Sequence, residues 1–302
     1  MSSEDFLYLV GRRPLDEVMG YLHTHQFNPN LPGRFGRYPL FAAIVCHSTI
    51  AEYFINLPNI DLNIIDGNGA GVMHYAAKYN RLELYKLLRA KDCQINVFNH
   101  KSKSPLTYAI INNNLYFVDK LLADDATIQL VDIRMAIKHN EYSLFVDLVN
   151  QIDQSLITDD ILIDWMFDIV IYENDIKYFN YLKDNYFDDE LLDQLATATD
   201  NHDDTMLAHA VYCDIDIVRT LLKHGADVNT IDYYNNTPLS NAIDGNNIEI
   251  IELLLGYGAD PFYKKNDKTI LEIVREDVDR KDAYQAIQNY LDMPDIKGAE
   301  ED

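Results

Sequence analysis

Thr237-Pro238-Leu239-Ser240-Asn241-Ala242, closed by Leu253-Leu254-Leu255-Gly256-Tyr257-Gly258-Ala259-Asp260, is the stretch whose reading decides the fold. Its opening recurs upstream as Ser104-Pro105-Leu106-Thr107-Tyr108-Ala109 and, 33 residues earlier, as Gly71-Val72-Met73-His74-Tyr75-Ala76-Ala77. Its closing recurs as Leu221-Leu222-Lys223-His224-Gly225-Ala226-Asp227-Val228-Asn229. A fixed period of this length implies a stacked array in which each unit buries its apolar side against its neighbours.

The physics of one unit follows from its residues. Thr237 is placed to cap a helix, and Pro238, lacking an N–H, fits the first turn, where no partner is needed. Leu239 and Ala242 lie three apart on one face, and Ala242 is small enough for close packing. Leu253 and Leu254 fill the buried side of a second helix, which Gly258 ends in a left-handed conformation. Together these positions resemble the ankyrin-repeat family, whose unit is a hairpin-like turn plus two antiparallel helices. The resemblance implies an all-α solenoid of stacked helix-turn-helix units with hairpin-like loops, irregular in the middle. It also implies protein–protein interaction, not catalysis.

The resemblance divides the chain. Residues 1–32, with Leu15, Val18, Met19 and Leu22 at helical spacing, suit an N-terminal capping unit. Three regular repeats are expected over 33–129, divergent repeats with an insertion over 130–202, C-terminal repeats over 203–281, and a capping helix with an acidic tail over 282–302. In the divergent part, residues 185–200 suit either an extra helix or a distorted hairpin.

Composition narrows the function classes. The 302 residues carry a formal charge of −24, which argues against nucleic acid and anionic membranes, since both are held by Lys and Arg. Cys46, Cys93 and Cys213 are an odd, widely spaced set, better suited to a reducing interior than to a disulfide framework. Met1-Ser2-Ser3-Glu4-Asp5 has no basic n-region and leads into no apolar run of signal-peptide length, so no signal peptide is expected. The apolar window Ile161–Ile171 is too short to span a bilayer and contains Asp164 and Asp168. The expectation is a cytoplasmic protein, monomeric with at most weak self-association. Ankyrin-like proteins of intracellular bacteria often act inside a host cell, so the resemblance also admits an effector in the host cytosol.

Candidate chemistry fails on spacing. Gly67-Asn68-Gly69-Ala70-Gly71 lacks the phosphate-loop pattern and falls at a hairpin. His74 sits at the motif's histidine, suited to a hydrogen bond with the next unit. Cys46 and His47 diverge as helix neighbours, and His23 and His25 lack companions at metal spacing. No catalytic residues, metal ligands or cofactor are expected.

Two features remain. In ankyrin-like arrays the hairpin tips and adjoining first-helix face form the concave binding surface. Here those positions hold Arg34, Phe35, Arg37, Gly67, Asn68, Ala70, His100, Lys101, Lys103, Tyr233, Tyr234, Asn236, Lys264, Lys265 and Lys268, a predominantly basic and aromatic set in an acidic chain. Tyr and Arg are the types that anchor interfaces. The second feature is Asp147–Asp204, with sixteen acidic residues against Lys177 and Lys183 and the only tryptophan, Trp165. There the expectation is a mostly buried set of aromatics under a solvated acidic face, a dock for a basic partner involving Trp165, or, as the alternative class, an enzyme or enzyme-regulator site within 130–202.

Overall fold

The computed structural model describes residues 10, 13–24, 28–33, 37–46, 48–173 and 175–293. It falls into two compact units, Met1–Ile152 and Asp153–Asp302.

In the first unit Leu15–Thr24 packs on Ser48–Ile55, and helix pairs follow: Pro39–Cys46 with Ser48–Ile55, Val72–Lys78 with Leu82–Ala90, Pro105–Ile111 with Leu115–Ala123, and Leu130–Lys138 with Tyr142–Gln151. First helices pack on first helices, as Val72–Lys78 does between Pro39–Cys46 and Pro105–Ile111. Leu40, Ala43, Ala76, Ala109, Phe117 and Phe145 are among the fully buried residues. The alanines let helix backbones approach, and the aromatics fill the space between second helices.

In the second unit Met206–Ala210 with Ile215–Lys223 and Pro238–Asp244 with Ile248–Gly256 form regular pairs. A two-residue hairpin, Lys264–Lys265 paired antiparallel with Lys268–Thr269, leads to Ile270–Glu276 and then Lys281–Leu291, which packs on Ile248–Gly256. The elements of the irregular part are helices. Asp159–Asp168 runs into a π-helical turn, Ile169–Glu173, followed by Ile176–Tyr186 and an additional helix, Asp189–Thr197. The π turn presents the Val170 carbonyl to the Cys213 thiol at 3.2 Å.

The caps form as the sequence predicts. Ser104, Thr205, Thr237 and Thr269 each accept the N–H three residues on, and Pro105 and Pro238 take the first turns. Where Gly71 replaces the hydroxyl residue, the His74 ring accepts the Gly71 N–H at 3.1 Å instead. Turns between helices need positive φ, supplied by Asn80, Asn113, Asn140 and Asn246, and by Gly225 and Gly258 after second helices. Asparagine tolerates that region because its short side chain bonds locally.

Side chains also tie one repeat to the next. Asn30 Nδ2 donates to the Asn59 carbonyl at 2.7 Å while its Oδ1 accepts the Asp61 N–H at 2.9 Å. Asn96 grips Asp125 and Thr127 in the same way, and Asn229 grips Gly258 and Asp260. Arg81 and Asn114 reach back to the last carbonyls of the preceding first helices, at Ile44 and Val45 and at Ala77 and Lys78. Carbonyls in the last turn lie beyond the regular helical ladder, and the neighbour's side chains add bonds to them.

Candidate functional site

Four of the hairpins are each built by one side chain. Asp66, Asn99, Asp200 and Asp232 accept the N–H groups two and four residues on, which are Asn68 and Ala70, Lys101 and Lys103, His202 and Asp204, and Tyr234 and Asn236. The second side-chain atom reaches nine residues ahead into the first helix. Tyr75 Oη donates to Asp66 at 3.0 Å, Asn99 donates to Tyr108 Oη at 3.1 Å, His209 Nε2 meets Asp200 at 3.2 Å, and Asn241 donates to Asp232 at 3.1 Å. Gly69, Ser102, Asp203 and Asn235 turn the tips at positive φ. The tips are therefore fixed before any partner arrives.

Neighbouring tips are also linked. The His100 N–H donates to the Asn68 carbonyl at 2.9 Å, and the Tyr233 N–H to Asp204 Oδ1 at 2.6 Å. The His100 ring lies so close to Gly69 that a Cβ there would come within 2.6 Å of it. His74 is buried, and because its Nδ1 accepts from Gly71, its Nε2 carries the proton and donates to the Lys103 carbonyl at 3.1 Å. Burial holds its pKa below the ordinary value, against the bond to Lys103 and the charge of Asp66. It is a neutral structural link between repeats.

The residues singled out from the sequence divide into several groups. Arg34 and Phe35 lie outside the described residues. Arg37, His100 and Lys101 are exposed and Lys103 is half-buried, with Lys101 and Lys103 lining one cavity. Tyr233 and Tyr234 are 71% and 73% exposed, and their rings meet edge to face at 5.2 Å. His202 stands 6.2 Å from Tyr233, a neighbour the sequence reading missed. Asn236 is half-buried and bonded to Asp232 and to the Lys265 ammonium; Lys268 is exposed and paired with Glu276.

Trp165 is a correction. The sequence suggests a partner contact there, but Trp165 is fully buried in the Asp159–Asp168 helix and offers no surface to a partner. Phe167, Tyr178, Phe179 and Asp168 are buried as well, whereas Tyr172 is exposed and Tyr181, Tyr186 and Phe187 are half-buried. Asp200, Asp204 and His209 bring three donor atoms within 4.8 Å of one another. Asp200 and His209 hold the spacing that Asp66 and Tyr75 hold elsewhere, and this cluster is the hairpin lock of its repeat.

Among the described residues no helix is long and apolar enough to cross a membrane. The family model described as ankyrin repeats (3 copies) matches residues 8–99, 40–132 and 172–265. An ankyrin repeat protein of Acanthamoeba polyphaga mimivirus is 29% identical over 295 residues, 92% of this chain and 32% of that protein. Ankyrin repeat protein nuc-2 of Neurospora crassa is 25% identical over 228 residues, 73% of this chain and 18% of that protein. The chain thus spans about a third or less of these relatives. Among solved structures, the ankyrin repeat domain of Bcl-3, of the IkappaB protein family, aligns with a TM-score of 0.48 at 20% identity, covering 73% of this chain and 99% of that one. With the family model matching well over half of its residues, the chain belongs to the ankyrin-repeat family.

Proposed function

We propose that in each unit the hairpin tips and adjoining first-helix faces form a protein-docking surface, with Tyr233 and Tyr234 as anchors in the second unit and Arg37, Lys101 and Lys103 in the first. Ankyrin repeats are protein–protein interaction modules, and the fold is typically non-enzymatic. The observation that carries the finer reading is the Tyr233–Tyr234 pair: two large aromatic rings, more than 70% exposed, on a tip whose backbone is bonded to Asp204 and Asp232. Such rings supply contact area, and the fixed backbone removes the ordering cost of binding.

The reading places the protein in a reducing cytoplasm, its own or a host's. Cys46, Cys93 and Cys213 are free thiols, and burial pushes the Cys213 pKa up to about 11, which keeps it unreactive.

Affinity capture from cell lysate tests the surface. A partner held by wild type should also be held by Glu252→Gln, a change on an exposed second-helix position, and lost with Tyr233→Ala/Tyr234→Ala or with Arg37, Lys101 and Lys103 reversed to Glu. Undiminished capture by both hairpin variants would remove this surface from consideration.

A further inference from the structure

We infer that the hairpin-side face of the first unit holds a subsite for a phosphate monoester carried on a side chain of the partner protein. A cavity of about 280 Å³ opens there, lined by Lys78, Lys101, Lys103, Tyr108, Asn68 and Asn112 among others. No carboxylate lines it. Among the described residues none of the three lysines makes an ion pair, although the chain as a whole carries 49 acidic residues against 25 basic ones.

The three cations are placed from different elements. Lys101 and Lys103 stand on the hairpin that Asn99 ties down by accepting both their N–H groups at 2.9 Å. Lys78 ends the neighbouring first helix, its ammonium 5.3 Å from the Tyr79 ring centroid. Like charges gathered on one cavity repel, and an anion entering it relieves that repulsion. Tyr108 adds a donor: its oxygen accepts from Asn99, which leaves its own O–H proton free to point at a guest. A phosphate monoester brings a charge of about −1.5 to −2 and three acceptor oxygens, which matches three ammonium groups and a phenol better than a single carboxylate does.

The inference deepens the docking reading by naming what the partner presents, yet it is testable without a partner. N-acetyl-O-phosphoserine methylamide titrated into the full chain, followed by amide NMR shifts, should give saturable changes at Lys101, Lys103 and Asn112. The glutamate analogue should bind about tenfold more weakly. Lys101→Gln/Lys103→Gln and Lys78→Gln should each weaken the phosphoserine probe, whereas Lys101→Arg/Lys103→Arg, which keeps the charges, should retain it. Absence of saturation by about 10 mM, equal binding of the glutamate analogue, or unchanged binding in both Gln variants would overturn the subsite. Tighter binding of adenosine monophosphate than of the phosphoserine probe would overturn the protein-borne source. Loss of lysate capture in the tyrosine variants reports on the docking surface alone, so the two readings fail separately.

Discussion

The two units share one repeat and differ in charge. Residues 1–152 hold 15 acidic against 14 basic residues, whereas residues 153–302 hold 34 against 11. Nearly all of the net −24 therefore belongs to the second unit. Both use the same hairpin lock, from Asp66 and Asn99 in one and Asp200 and Asp232 in the other. The architecture is thus indifferent to surface charge, because burial and capping hold it, and charge is left to set which partners approach.

Four measurements test or sharpen that contrast. The largest effect is expected at Trp165, whose replacement by Ala empties a fully buried site and should cost about 3–5 kcal/mol. Hydrogen exchange should then accelerate across 153–302 and leave 1–152 protected; equal loss of protection in both would show that the units do not behave separately.

Next is acid behaviour. Asp132 is fully buried, bonded to Thr107 at 2.6 Å and to the Gln129 N–H at 2.9 Å, and burial raises its pKa to about 6 despite those bonds. The folded first unit therefore binds more protons than the unfolded chain between about pH 4 and 6, and loses about 1–3 kcal/mol of stability as pH rises through that window. Asp132→Asn should flatten the slope. Asp200 and Asp232 behave oppositely: burial raises their pKa values, but backbone N–H bonds from His202 and Asp204, and from Asn236, outweigh it and lower them. Their contribution is present above the ordinary carboxylate range and lost as pH falls below it. Identical pH slopes for exchange in the two units would contradict this assignment.

Salt comes third. Screening of self-repulsion should stabilise the second unit by about 1 kcal/mol, or about 2–4 °C, between low and moderate ionic strength, with little change in the first. Trp165 emission reports the second unit alone. A transition independent of salt would mean the acids lie too far apart to matter. The smallest stability effect, within about 0.5 kcal/mol, belongs to Tyr233→Ala/Tyr234→Ala, since both rings are exposed. A larger loss would make that pair structural.

How much was legible in the sequence follows from how local each feature is. Thr237-Pro238-Leu239 announces its helix because cap and first turn are adjacent residues, and the structure forms that cap. The hairpin lock was written in Asp or Asn nine residues before Tyr75, Tyr108, His209 and Asn241, a spacing that could have been read but was not. Trp165 was misplaced because an aromatic at helical spacing does not say which face is covered. Residues 153–200 were hard to phase because the π turn and the added Asp189–Thr197 helix break the repeat length. The lysine cavity draws Lys78 from a first helix and Lys101 and Lys103 from the next hairpin, and only folding brings them together.

The asparagine clamps make length a discrete variable. Asn30, Asn96 and Asn229 each grip partners 29 and 31 positions onward. One extra residue inserted within that interval would dislodge both grips at once, whereas duplicating an entire repeat would copy clamp and target together. Within the clamped intervals the chain can therefore change length only in whole repeats, whereas the unclamped stretch 153–200 has room for its π turn and added helix.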